Sequence, residues 1–129
     1  MTNARILIVE DNAIIARYLG SMLSRANYEV VGIVPSGEEA IEKAIETHPD
    51  LVLMDITLEG KMDGIEAAEH IYARFNIPII YITSLEDSST IRRIKASQAF
   101  GYISKPTKDT ELLTAIEMAL HRLKTGTNC

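Results

Sequence analysis

Residues Leu51, Val52, Leu53 and Met54 form an unbroken apolar run that ends on a lone carboxylate, Asp55. Four such residues leave no polar face, so the segment reads as a strand buried on both sides of a parallel sheet. The carboxylate is then delivered at the carboxyl end of that strand, where ligands and chemistry gather in open α/β sheets. Two other features join the same edge. Glu10 and Asp11 follow the run Ile6-Leu7-Ile8-Val9, and Lys105-Pro106 follows Tyr102-Ile103-Ser104. Three carboxylates and one lysine at neighbouring strand ends point to a divalent-metal site around a reactive aspartate.

The rest of the chain repeats strand then helix. Strands are expected over 5–9, 29–34, 51–55, 78–83 and 100–103. Asp11 or Asn12 caps the first helix, whose apolar positions Ile15, Leu19, Met22, Leu23 and Ala26 recur at helical spacing. Pro35 ends the second strand. Ser36 and Glu39 form an S-x-x-E capping box that opens a helix to about residue 47. His48-Pro49-Asp50 makes the next turn. A loop with Gly60 and Gly64 leads to a helix over 65–74. A polar-faced helix is expected over 88–98. The last helix, 108–124, buries Leu112, Leu113, Ile116, Leu120 and Leu123, and 125–129 reads as a frayed tail.

Five strands alternating with five helices imply a doubly wound α/β fold. Right-handed crossovers leave few topologies. The flavodoxin-like strand order 2-1-3-4-5 sets the ends carrying Glu10-Asp11, Asp55, Thr83 and Lys105 side by side.

Composition narrows the class. A chain of 129 residues with 47% hydrophobic residues fits one domain, expected over 1–125 with a tail at 126–129. Net charge is −5 and the basic residues are scattered, which argues against direct nucleic-acid binding. The single cysteine, Cys129, has no intrachain partner and suits a reducing cytoplasm. No apolar run is long enough to span a bilayer, and the first residues do not resemble a signal peptide. His48, His70 and His121 lack the spacing of metal ligands.

Taken singly, the charged features have plain structural readings. Glu10-Asp11 could be a helix cap and a solvated acid, Asp55 a turn residue, Thr83 a strand end, and Asp63-Gly64 a turn. Lys105-Pro106 could start a helix, and Tyr102 could be a half-buried strand aromatic. Jointly they say more. Glu10-Asp11, Asp55, Met62-Asp63-Gly64, Thr83-Ser84, Gly101-Tyr102 and Lys105-Pro106 stand in the order and at the distances of one family. Over nearly its whole length the chain resembles the receiver domain of two-component response regulators.

The resemblance implies a phosphorylation-activated switch that is not itself an enzyme. Asp55 would accept a phosphoryl group from the phosphohistidine of a sensor histidine kinase or a histidine phosphotransfer protein. Glu10 and Asp11 would be metal-binding acids for Mg²⁺, joined by Asp55 and by the backbone carbonyl of Thr57. Thr83 would be the switch hydroxyl, Tyr102 the switch aromatic and Lys105 the phosphate-contacting lysine. In the family the Lys105-Pro106 bond is cis. The chemistry is consistent: Mg²⁺ removes the repulsion between a carboxylate and an anionic phosphoryl group.

The sequence departs from the family in places. The loop after Asp55 lacks a proline common there and is one residue longer, Thr107 replaces a common phenylalanine, and the last strand lacks the paired acids of regulators that dimerise through that face. Two other classes compete. A haloacid-dehalogenase-type phosphatase needs a second acid two residues after its aspartate, where this chain has Thr57. A flavodoxin needs a hydroxyl- and glycine-rich phosphate loop, where this chain has Glu10-Asp11.

Overall fold

The computed structural model describes residues 3–84, 87–97, 101–105 and 108–124. The strands are β1 (Arg5–Val9), β2 (Glu29–Val34), β3 (Leu51–Asp55), β4 (Ile79–Thr83) and β5 (Gly101–Ser104). The helices are α1 (Ala13–Arg25), α2 (Gly37–Thr47), α3 (Gly64–Phe75), α4 (Ser88–Ala96) and α5 (Asp109–Lys124). All strand pairs are parallel and the order is β2-β1-β3-β4-β5. That is the expected doubly wound topology.

The sheet divides the core in two, which explains the unbroken apolar runs. Leu7, Val9, Val52, Met54, Ile79 and Tyr81 point to one face. There they meet Ala40 and Ala44 of α2, Ala67, Ala68 and Ile71 of α3, and Ile94 of α4. The alternate residues Ile6, Ile8, Leu51, Leu53, Ile80 and Ile82 point the other way, against Leu19, Met22 and Leu23 of α1 and Leu112, Ile116 and Ala119 of α5. Side chains of period two need apolar partners on both sides, so no polar residue fits until the strand ends.

Local chemistry sets the boundaries. Asn12, not Asp11, caps α1: its Oδ1 accepts from the N–H groups of Ile14 and Ile15 at 3.0 and 3.1 Å. Ser36 caps α2 through Glu39 N–H at 3.2 Å. The return half of that box is replaced by the Ser36 hydroxyl donating to Glu39 Oε2 at 3.2 Å. The complete box lies elsewhere. Asp63 Oδ1 accepts from Glu66 N–H, and Glu66 Oε1 accepts from Asp63 N–H, both at 3.0 Å. Asp63-Gly64 is therefore a cap and first helical residue, and α3 starts one residue earlier than expected. Strand β4 starts at Ile79 because Pro78 has no N–H for the ladder; its carbonyl still accepts from Val52 N–H at 3.1 Å. Ser104 extends β5 by pairing with Thr83. The expected ends at Gln98 and Phe100, the Lys105-Pro106 bond, Thr107, the side chain of Leu123 and the tail lie outside the described residues.

The longer loop after β3 is accommodated in two ways. Gly60 takes φ = 93°, a conformation open to glycine. Glu59 forms a parallel bridge with Ser36, which ties the loop to the start of α2.

Candidate functional site

The carboxyl ends of β1, β3 and β4, and the residue after β5, converge on one acidic pocket. Backbone contacts fix Glu10 there. Its N–H donates to Val34 O at 2.9 Å, and its Oε2 accepts from Asn12 N–H at 3.1 Å. The turn that caps α1 thus folds the Glu10 carboxylate inward, to 4% exposure, while Asp11 stays exposed at the rim. Asp55 ends β3 and is 6% exposed. Its Oδ1 accepts from Thr57 N–H at 3.2 Å and its Oδ2 from Lys105 Nζ at 3.1 Å.

Lys105 arrives from the far edge of the sheet. Its N–H donates to Thr83 O at 2.8 Å, extending the β4–β5 ladder one residue past the strand. Its ammonium then reaches both buried acids, lying 3.2 Å from Glu10 Oε1 as well. That second approach is an ion pair without an aligned hydrogen bond, so Glu10 Oε1 is buried and accepts none. Burial pushes the Glu10 carboxyl above its ordinary value of 4.5, and the neighbouring Asp55 adds to the rise. The Asn12 amide and the Lys105 charge oppose this incompletely. Burial alone would lower the Lys105 value, but the Asp55 and Glu10 carboxylates outweigh it and hold the ammonium charged.

One lysine does not neutralise three carboxylates. Oxygens of Glu10, Asp11 and Asp55 lie within 4.8 Å of one another. This all-oxygen donor set, with a buried carboxylate oxygen lacking a hydrogen bond, fits a small hard cation such as Mg²⁺. The remaining sequence candidates lie on the same strands and the loop after β3. Thr57 contributes its N–H to Asp55. Thr83 is buried at the end of β4. Tyr102 pairs with Tyr81 in the ladder and is 40% exposed.

Two supports escaped the sequence reading. Asn12 was legible as a cap, but not as the holder of Glu10. Gly64 matters for its missing side chain: a Cβ there would lie 2.1 Å from Asp55 O and 2.9 Å from Ile56 Cα. Its N–H donates to Ile56 O at 2.8 Å. The start of α3 is thereby pressed onto the backbone that carries the aspartate. The Asp63-to-Glu66 spacing would have signalled the cap.

Comparison with known proteins decides the family. The sequence matches the response regulator receiver domain over residues 6–117. The chain belongs to that family. The receiver domain of a modulated diguanylate cyclase from Desulfovibrio desulfuricans G20 superposes with a TM-score of 0.91 at 41% identity, covering 96% of this chain and 98% of that one. A CheY-like receiver from Methanospirillum hungatei JF-1 gives 0.90 at 26% identity, covering 97% and 99%. Transcriptional regulatory protein PdtaR of Mycobacterium tuberculosis is 38% identical over 93% of this receiver domain and 58% of its own length. A protein-glutamate methylesterase/protein-glutamine glutaminase from Carboxydothermus hydrogenoformans is 34% identical over 96% of this chain and 36% of its own length. This chain thus spans about three-fifths or less of the length of these last two relatives.

Two outcomes follow from the pocket. Gly64→Ala forces backbone apart at Asp55, so it is expected to destabilise the fold by about 1–3 kcal/mol, as overpacking does, and to weaken Mg²⁺ binding. Denaturant unfolding and calorimetry check both effects, and an unchanged Mg²⁺ affinity would contradict the role given to Gly64. The second outcome concerns pH. Because the folded Glu10 value is raised, the stability it contributes is present below 4.5 and lost as pH rises through the raised value. A bound cation offsets that loss. Mg²⁺ at about ten times its Kd is expected to add about 1.4 kcal/mol near neutral pH, and much less near pH 4, where protons compete for the carboxylates. Thermal unfolding at the two pH values, with and without Mg²⁺, measures the difference.

Proposed function

We propose that the chain is a phosphorylation-activated switch with Asp55 as phosphoacceptor. The observation that carries this reading is the Asp55 carboxylate itself. It is buried at the end of a fully buried strand, held by Lys105, and within ligand distance of two further acids.

The donor would be the phosphohistidine of a sensor histidine kinase or a histidine phosphotransfer protein. An Asp55 oxygen attacks phosphorus, the P–N bond breaks, and the imidazole nitrogen leaves with the bonding pair. Mg²⁺, held by Asp11, Asp55, the Thr57 carbonyl and, through water, Glu10, would supply positive charge to the phosphoryl oxygens. Lys105, already at Asp55 Oδ2, stabilises the charge on the transferred group. The Thr83 hydroxyl and the Ser84 amide then donate hydrogen bonds to it. The phosphoryl draws Thr83 inward, and the Tyr102 ring turns from its exposed position into the space released. That movement repacks the surface of α4, β5 and α5, which meets a partner or output domain.

The chain acts stoichiometrically, not as a turnover enzyme. A phosphatase of the haloacid-dehalogenase type lacks its general acid at Thr57, and a flavodoxin is opposed by the negative charge at Glu10 and Asp11. The donor protein docks over the start of α1. Ile14 is 81% exposed there and Tyr18 is also open, beside the Asp11 rim, while only Ile15 packs partly into the core. A cytoplasmic location and the lack of direct nucleic-acid contact belong to the same reading. Among the described residues no helix is long and apolar enough to cross a membrane.

Incubation with Mg²⁺ and a small phosphodonor is expected to add one acid- and base-labile phosphoryl group by mass spectrometry. Asp55→Asn should abolish that gain while cooperative unfolding is retained. Undiminished labelling of the variant would overturn the assignment, and continuous phosphate release would favour the phosphatase.

A further inference from the structure

An ion pair that the phosphotransfer chemistry does not use joins helix α4 to the start of α3, which packs on the Asp55 backbone. Arg93 of α4 reaches the carboxylate of Asp63, the cap of α3. Nη1 lies 2.8 Å from Oδ2 and Nη2 donates to Oδ1 at 3.1 Å. This is the two-pronged fork that a guanidinium makes best with a carboxylate. Asp63 Oδ1 also accepts from Glu66 N–H, so the same carboxylate locks the start of α3 and receives α4. The next residue, Gly64, is pressed against the Asp55 carbonyl. Covalent and hydrogen-bonded steps therefore run without a gap from α4 to the acceptor backbone.

Among the described residues, helix α4 has a small buried face. It buries only Thr90 and Ile94. At its end, Ser97 accepts from the hydroxyl of Tyr81 at 3.3 Å. An element with so small a buried face moves at low cost, so one surface pair can shift its position.

We propose that the Arg93–Asp63 pair is a latch that holds α4 in its unphosphorylated position and thereby sets how readily Asp55 accepts a phosphoryl group. The inference rests on the receiver reading of Asp55. If the reactive arrangement needs α4 displaced, the pair subtracts from its population, and the apparent rate scales with the fraction of molecules in the competent state. An exposed pair of good geometry is worth a two- to roughly five-fold change in such a population.

The test uses labelling of the intact chain by phosphoramidate with Mg²⁺. Arg93→Gln removes the fork. Asp63→Asn removes the charge but keeps a good capping side chain. Each variant is expected to label about two- to five-fold faster than wild type, and the double variant no faster than the faster single. High salt should accelerate the wild type and leave the variants unchanged, because it screens an exposed pair. In the unphosphorylated variants, amide signals of residues 88–97 and 101–104 should move toward their positions in the phosphorylated wild type. Merely structural loosening would scatter those signals and would not raise the rate. Variants that label at the wild-type rate or slower, or whose effects multiply in the double variant, would overturn the latch alone. A wild type that takes no phosphoryl group would overturn the receiver reading and the latch with it.

Discussion

The site depends on a single ammonium group placed between two buried carboxylates. Lys105 Nζ lies 3.1 Å from Asp55 Oδ2 and 3.2 Å from Glu10 Oε1. Without it, two like charges would share a desolvated pocket, and one would be driven to bind a proton. With it, the cluster remains negative, because Asp11 completes a set of three acids. The arrangement keeps Asp55 deprived of water and near a cation, yet still short of positive charge. A buried ion pair of this kind adds little net stability, since desolvation consumes much of the Coulomb attraction. Its value is positional: it collects ligands for a cation and for an anionic group at one point.

The fold makes that placement possible through backbone alone. The lysine belongs to the edge of the sheet, two strands from Asp55, and is brought in by the ladder bond from its N–H to Thr83 O. Glu10 is turned inward by the cap of α1. Gly64 permits the start of α3 to rest on the Asp55 carbonyl. None of these supports touches the reacting atoms, and two of them couple the pocket to a helix, Glu10 to α1 and Gly64 to α3. Movement at the pocket is therefore felt by α1 and α3, and the Arg93–Asp63 pair extends the connection from α3 to α4.

The apolar runs made the strands, their order and the convergence of Glu10, Asp11, Asp55 and Lys105 legible in the sequence. A strand packed on both faces admits no polar residue until its end, so a terminal carboxylate is conspicuous. Helix limits were less legible, because competing caps settle them. Asp63 and Glu66 formed the full capping box, while Ser36 and Glu39 formed half of one. The fork between Arg93 and Asp63 was hidden, since thirty positions separate residues that only the packing of α4 beside α3 brings together.

The central claim is that Lys105 partly neutralises a cluster of acids that a divalent cation completes. Calorimetric titration of Mg²⁺ into the wild type and Lys105→Met tests it most directly. Removal of the ammonium leaves only a proton or the cation to compensate the three acids, and at neutral pH the cation displaces the proton. Mg²⁺ is then expected to bind the variant more tightly, and its binding should restore more stability to the variant than to the wild type. Equal or weaker Mg²⁺ binding by the variant would contradict the account.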